Sequence, residues 1–572
     1  MKRHLFTVRL KIRGPILIQS SSPADFGLDA AVMRRESDGI VCVPGTLIQG
    51  KLAEALKENQ LGRSLPLSPA EHERLFGKDS GVGSGNEPLR RRLMFDDLIK
   101  VSVEGESGNP LLSRIAMDST LGSAEGRMLR ALETPFGAGA TVTFEGNLWF
   151  VGPEGKRDEV KRLLRLGLRW LTTIGSQRST GMGRLIEADI EESNLIELAA
   201  ADNSIESGGG CDRLELSLRP LGPFCVSRPK IGDNLFESES HLPGNVLAGA
   251  LVETWAALCD IRPGSRVSDC GKADPERSKL AEHFDRIRFR HAFPAAPGGV
   301  RTTAVPLSLA QAGERIFDLS LENQPCLLDA GGEDFVSPAF QPDWKPSTWS
   351  KIGSQIGFVE PHRELRVRTA IDSNLRISHR GDDTGGGKLF ALELVHPWRR
   401  GADDQVEPLV WRTSIDLGQI PETDRRAVAE QLASLLPHLS YVGKTKVPCE
   451  VTGSGRAASS GATEVGETAV LMLDTPALLA DPRFQSVEGV RESGALSAGE
   501  MWLLYRDAWS DLSGGSLELI HHFARQRLRG GNHLALRRQA QRRYVPWLLT
   551  DAGSVFTFAV RDAVEAAARL RT

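Results

Sequence analysis

The chain has 572 residues, too many for one hydrophobic core, so three or four units of ordinary domain size are expected. Apolar residues make up 40% and charged residues 25%, and neither an 18-residue apolar run nor a leader-like N-terminus is present, which points to a folded cytoplasmic protein without a membrane partner. Seven scattered cysteines with no CxxC pair suggest neither a disulfide framework nor a structural zinc site, and a net charge of −4 argues against indiscriminate nucleic-acid binding.

In chain order, "HLFTVRLKIRGPILIQ" (4–19) reads as a two-faced strand, with Leu5, Thr7, Arg9 and Lys11 on one side and Phe6, Val8, Leu10 and Ile12 on the other. A loop follows, then the short strand "IVCV" (40–43), then a Pro-Gly turn opening a helix in "VPGTLIQGKLAEAL" (43–56). Strands are expected at 92–98 and 140–151, a helix at 156–174, and a glycine-containing loop at "GSQRSTGMGRL" (175–185). This β-α-β plus β-α-β order suggests an α+β sandwich of ferredoxin-like (RRM-like) type with long insertions.

The programme then restarts. "DRLELSLRPLGPFCV" (212–226) is an alternating strand, "LPGNVLAGALVETWAAL" (242–258) repeats the Pro-Gly helix, "DRIRFRHAF" (285–293) is a strand, and 425–447 runs from helix to loop. A third unit begins at "ETAVLMLDTPALL" and ends with "YVPWLLTDAGSVFTFAV". Gly/Ser/Ala-rich seams at 201–212 and 453–463 divide the chain into 1–200, 213–452 and 464–572. Basic clusters stand at 162–170, 397–400 and 525–543. Each alone reads as a solvated face, and together they are candidate phosphate contacts.

The ordered set "VPGTLIQGKL" (43–52), "RLFG" (74–77), "RLMFDDL" (92–98), the 114–146 stretch and "STGMGRL" (179–185) resembles the RAMP superfamily of CRISPR-associated proteins. The first unit is similar to the type III backbone subunits that bind crRNA. The second and third, through "LPGNVLAGAL" (242–251), "RIRFRHAFP" (286–294), 367–395, "VLMLDTPALL" (470–479) and "YVPWLLTDAGSVFTF" (544–558), resemble the capping subunit that holds the 5′ handle. The resemblance therefore implies tandem RAMP domains in one fused chain, working in a type III effector complex with crRNA, target RNA and other effector subunits. One departure stands out: the second loop, "VGKTKVPCEV" (442–451), is short of glycines and carries Pro448.

Backbone recognition of RNA needs cations for phosphates and main-chain N–H groups at glycine turns. In the first loop the candidates are Gly175, Arg178, Ser179, Thr180, Gly181, Gly183 and Arg184, and at the first helix start Thr46, Gln49 and Lys51. Asn245, Ala248 and Ala250 replace the last three in the second copy, so a weaker phosphate contact is expected there. Lys444 and Lys446 in the second loop, and Arg525, Arg529, Arg537 and Arg538 near the C-terminus, complete the RNA-binding set, with Tyr544 and Trp547 as possible stacking residues.

The loop "FGLDAAVM" (26–33) resembles the backbone-subunit loop whose aspartate is required for metal-dependent cutting of target RNA. The matching Asp29 is thus implied as catalytic acid and ligand of a divalent ion (Mg2+ or Mn2+), with RNA oxygens and water completing the shell because one carboxylate is no cage. Asp25 competes for the role, and Asp233 is a weaker second candidate. Two alternatives stay open: a non-catalytic crRNA scaffold, and a pre-crRNA processing endoribonuclease using acid–base side chains such as His362, His379, His521, His522 or His533.

Overall fold

The computed structural model describes residues 2–20, 27–61, 67–77, 90–105, 111–117, 120, 123–193, 205–206, 212–228, 234–262, 264–321, 338–369, 389–401, 403–456, 466–491, 496–530 and 546–571. Of the sequence candidates, Asp25, Asp233, Arg537, Arg538, His379, His533 and Tyr544 lie outside the described residues.

The first unit contains β1 (Lys2–Arg13), α1 (Gly45–Leu61), β2 (Leu98–Glu104), β3 (Thr141–Gly152), α2 (Arg157–Trp170) and β4 (Arg184–Glu192). Its antiparallel sheet runs β2-β3-β1-β4, with Cys42–Val43 added outside β2 and Leu93–Phe95 beside β3. The alternation in β1 explains its central place: Phe6, Val8, Leu10 and Ile12 are buried against the helices, whereas Arg9 and Lys11 pair with Glu145 and Glu187 on the opposite face. Helix α2 buries Val160, Leu163, Leu164, Gly167 and Leu168 at helical spacing.

The second unit repeats this order with β5 (Arg213–Pro220), α3 (Gly244–Leu258), the short strands Arg288–Phe289 and Phe293–Ala295, β6 (Val410–Asp416), α4 (Glu422–Leu435) and β7 (Cys449–Arg456). Its sheet runs from Arg288–Phe289 through β6 and β5 to β7, and Ile205–Glu206 adds a parallel edge strand to β7. In the third unit β8 (Thr468–Met472), α5 (Ala498–Ser513), β9 (Leu517–Phe523), β10 (Val555–Val560) and α6 (Ala563–Arg571) form a sheet ordered β8-β10-β9 around a separate core of Tyr505, Phe556 and Phe558. The mixture of helices and antiparallel sheets makes the chain α+β.

The first unit has its own core beneath α1 and α2, and the other face of its sheet joins the core of the second unit. Leu5, Met94, Trp149 and Val151, on the helix-free face of the first sheet, belong to the same buried cluster as α3 and β5. Arg3 lies in this seam, donating to the carbonyls of Leu439 at 3.0 Å and Cys449 at 2.9 Å, with its guanidinium 4.7 Å from the Trp149 ring centre. Nearby, Arg74, Arg92 and Lys156 of the first unit converge on Asp260 of the second.

Both Pro-Gly helix starts are fixed by packing. A Cβ on Gly45 would lie 2.4 Å from the Phe95 carbonyl oxygen, and one on Gly244 would lie 1.9 Å from that of Phe289. Each first N–H is capped from the link between two neighbouring strands: Gly45 donates to Asp97 Oδ1 at 2.9 Å, and Gly244 to His291 Nδ1 at 3.1 Å. Burial, followed by the adjacent His241, pushes His291 down to about 3, so the ring is neutral and free to accept.

Gly244→Ala is therefore expected to destabilise the protein by about 1–3 kcal/mol. Gly249→Ala, in the same helix with nothing within 4 Å of the new methyl, should stabilise it by about 0.4–1 kcal/mol. Urea titration of both variants checks the contrast.

Candidate nucleic-acid interface

The first glycine loop is wedged onto the end of β1. Gly175 adopts φ +99°, and a Cβ there would sit 2.5 Å from the Leu17 carbonyl oxygen, which also accepts from Ser176 N–H at 2.7 Å. Gly183 (φ +67°) approaches the Ile174 carbonyl more closely still, at 1.9 Å from a would-be Cβ, and donates its N–H to Pro15 at 2.9 Å. These contacts hold a tight turn in which Arg178, Ser179, Thr180 and Gly181 are all exposed, with Arg184 exposed just beyond. Arg178 and Arg184 have no carboxylate partner among the described residues.

A hairpin of strands Leu111–Met117 and Ala124–Glu133 reaches this loop: Arg114 donates to Thr180 Oγ1 at 2.9 Å and to Gln177 Oε1 at 3.4 Å. The same hairpin carries the Asp29 segment. Asp29 N–H donates to the Ala131 carbonyl at 2.9 Å, its carboxylate accepts from Ala131 N–H at 2.6 Å, and Val32 N–H donates to Glu133 at 2.8 Å. Asp29 is exposed, and among the described residues no histidine, cysteine or second acid joins it in a metal-ligating group. The described chain thus provides no cage of three or more such ligands for Mg2+ or Mn2+ at Asp29.

At the first helix start Thr46 is exposed, while Gln49 takes a hydrogen bond from Arg91 and Lys51 pairs with Glu54 at 3.0 Å. In the second copy the exposed Asn245 keeps a polar group at the Thr46 position, whereas Gln49 and Lys51 give way to Ala248 and Ala250 because α3 packs between two sheets, buried from Leu247 through Leu258 on most of its circumference.

The second loop keeps the first loop's backbone device despite its different sequence. Gly443 (φ +67°) presses on the Cys225 carbonyl, 2.6 Å from a would-be Cβ, and Lys444 N–H donates to that oxygen at 2.7 Å, as Ser176 does to Leu17. The Lys444 ammonium lies 3.7 Å from the Phe236 ring centre, and Lys446 donates to the Gly443 carbonyl at 3.0 Å. In the third unit, Arg525, Arg527 and Arg529 share one buried carboxylate, Asp551. Beside them Trp547 and Phe484, both exposed, stack with centroids 5.7 Å apart.

Of the candidate histidines that are described, His362 stacks on Trp398 at 4.3 Å, and His522 lies against Tyr505 and Phe556. Sequence reading missed a cluster of Glu282, His283 and Asp424, which local spacing cannot reveal because it joins two segments far apart in the chain. Its acids are already bridged by the Lys279 ammonium, 3.0 Å from Glu282 and 3.1 Å from Asp424. Among the described residues no helix is long and apolar enough to cross a membrane.

No protein-family model and no curated protein sequence matches the chain. Among solved structures, it is similar to a chain of "Cryo-EM structure of the Type III-B Cmr-beta bound to cognate target RNA", at 15% identity over 33% of this chain and 61% of that one, with a TM-score of 0.24. It is also similar to a chain of "Type IV-B CRISPR Complex", at 13% identity over 33% of this chain and 90% of that one, with a TM-score of 0.23. Likeness at this level carries no weight for fold or activity.

Lys446 offers a test of the interface electrostatics. Burial first, then Arg90, Arg91 and Lys444, lower its ammonium to about 7 against the opposing Glu253 carboxylate. An unfolded lysine keeps its proton to about 10.4, so the folded state carries a penalty that is complete below the folded value and fades as pH rises toward the unfolded one. Lys446→Met is expected to raise Tm at pH 6, with the gap to the parent closing by pH 10. A gap of constant size across that range would show that Lys446 stays charged in the fold.

Proposed function

We propose that this chain is an RNA-binding subunit of a CRISPR effector complex, built from ferredoxin-like RAMP units. The first unit grips crRNA as a backbone subunit does. The second and third hold its 5′ handle in the cytoplasm, alongside target RNA and other effector subunits. The observation that carries this reading is the repeated loop: in both of the first two units a left-handed glycine seats on the carbonyl at a strand end, and the next N–H donates to that same oxygen. Such a fastened loop holds exposed side chains, Arg178, Ser179 and Thr180 in the first copy and Lys444 in the second, where a phosphate could meet them without rearrangement, which suits backbone recognition of RNA. Strand order supports it too, since two β-α-β halves interlock in each of those units.

For the first unit we further propose cleavage of the paired target RNA at Asp29. The hairpin that presents Asp29 also touches the glycine loop through Arg114, which brings the acid and the phosphate-binding turn onto one hairpin. Any divalent ion acting there would come with the RNA. The hydrogen bond from Ala131 N–H to the Asp29 carboxylate favours a second reading, in which Asp29 only fastens its loop and the chain is a crRNA scaffold.

Arg178→Ala with Arg184→Ala is expected to weaken crRNA binding and to make the slope of log affinity against log salt shallower by about 0.7 for each contact removed. An unchanged slope in a fluorescence-anisotropy titration would remove both residues from the interface. For cleavage, the assembled complex with its crRNA is given labelled complementary RNA with and without Mg2+. Asp29→Ala should cut at least about 100-fold more slowly while binding target equally well. Unimpaired cutting by the variant sinks the assignment, and no cutting by the parent complex favours the scaffold.

A further inference from the structure

A cleft of about 600 Å³ opens between the first two units, lined by Arg91, Asp96 and Asp97 on one side and by Arg366, Arg368 and the Lys444–Lys446 loop on the other. Some of its charges are balanced. Arg366 pairs with Glu364 at 2.8 Å and lies 3.7 Å from Asp97, which caps α1, and Asp96 accepts from the Trp149 indole at 3.4 Å.

Three cations make no ion pair among the described residues. Arg91 reaches only neutral oxygens, those of the Gln49 amide and the Thr445 carbonyl, and its Nε is sealed from solvent without a partner. Arg368 has no hydrogen bond or ion pair among the described residues, and Lys446 meets only the Gly443 carbonyl. The hydroxyl of Thr445, between them, is likewise buried without a partner. The crowding is mutual: burial, then the charge of Arg368, lowers Arg91 to about 10, and burial, then Arg366, lowers Arg368.

Half-buried cations that line one cleft and make no ion pair among the described residues describe a site built for an anion. Two guanidiniums and an ammonium give more donors than a planar carboxylate accepts in one plane, and they suit a tetrahedral oxyanion. The volume is that of a whole ligand rather than of an ion, so the anion is one group of a larger molecule.

We propose that this cleft binds a phosphate group, clamped by Arg91 of the first unit and by Arg368 and Lys446 of the second, so that the ligand ties the two units together. The phosphate belongs either to a free nucleotide or to the backbone of a bound RNA. Its RNA source rests on the RNA-binding reading above, and its nucleotide source does not.

Thermal melting of the full chain tests this in chloride buffers of matched ionic strength, with inorganic phosphate, AMP or single-stranded RNA added. The parent protein should show a saturable rise in Tm. Arg368→Met should melt higher than the parent without ligand, because a buried repulsion is gone, and should bind phosphate about 10- to 100-fold more weakly. Arg91→Met, the second variant, should lose the response in the same way. A rise with AMP and phosphate but none with RNA assigns the site to a free nucleotide and removes its RNA source, whereas a rise with RNA that both variants lose assigns it to RNA. If RNA binds nowhere on the chain yet phosphate still protects, the RNA-binding reading falls and the cleft stands. No response of the parent to any of the three, or an Arg368→Met protein that melts lower and responds as the parent does, overturns the proposal.

Discussion

The architecture turns on the seam where α3 lies between two sheets. Its inner side completes the second unit's core, and its outer side meets Leu5, Met94, Trp149 and Val151 of the first. A helix covered on both sides has little room for polar residues, which is why Ala248 and Ala250 stand where α1 carries Gln49 and Lys51. Arg3 enters this apolar seam at a cost that its two carbonyl acceptors and the Trp149 face offset, although burial still lowers it to about 10. Because the seam sets how the two sheets face each other, it also sets the distance between Arg91 and the Lys444–Lys446 loop. The cleft is a consequence of the shared core.

Much of the fold is legible in single elements. The two-faced alternation of residues 5–12 becomes β1 with the expected faces, although the strand stops at Arg13 rather than running on to 19, and the repeated Pro-Gly turns open two helices in equivalent places. What sequence reading misses is carried by partners distant in the chain. The caps of α1 and α3 come from residues 52 and 47 positions further on, and no local periodicity announces them. Helix α5 and the hairpin of Gln526–Arg529 with Trp547–Thr550 were not anticipated either, although Ser497 and Glu500 form a capping box that opens α5.

The same division applies to the site. That a glycine loop follows α2 is written in 175–185, but its rigidity depends on the Leu17 and Pro15 carbonyls at the far end of β1. In the second unit the sequence has lost most of its glycines, and the geometry survives because the one position that must be left-handed against a carbonyl is still Gly443. Asp29 illustrates the limit: its neighbour in space, Ala131, lies 102 residues away, so no local pattern reveals that its carboxylate accepts a main-chain N–H.

Charge runs prove a poor guide to where an anion would bind, because counting cations ignores their partners. In the run at 162–170 Arg165 pairs with Asp189, in 397–400 Arg399 and Arg400 pair with Glu407 and Asp404, and in 525–529 three arginines share Asp551. Arg178, Arg184, Arg91 and Arg368 belong to none of those clusters, yet they have no carboxylate partner among the described residues. A cation already neutralised by a nearby acid gains little from a phosphate, since it must give up one partner to take the other, whereas an unpaired cation gains the whole interaction. Net charge and local runs therefore describe how the chain behaves in solution, while the pairing that folding imposes decides which cations remain available to an anion.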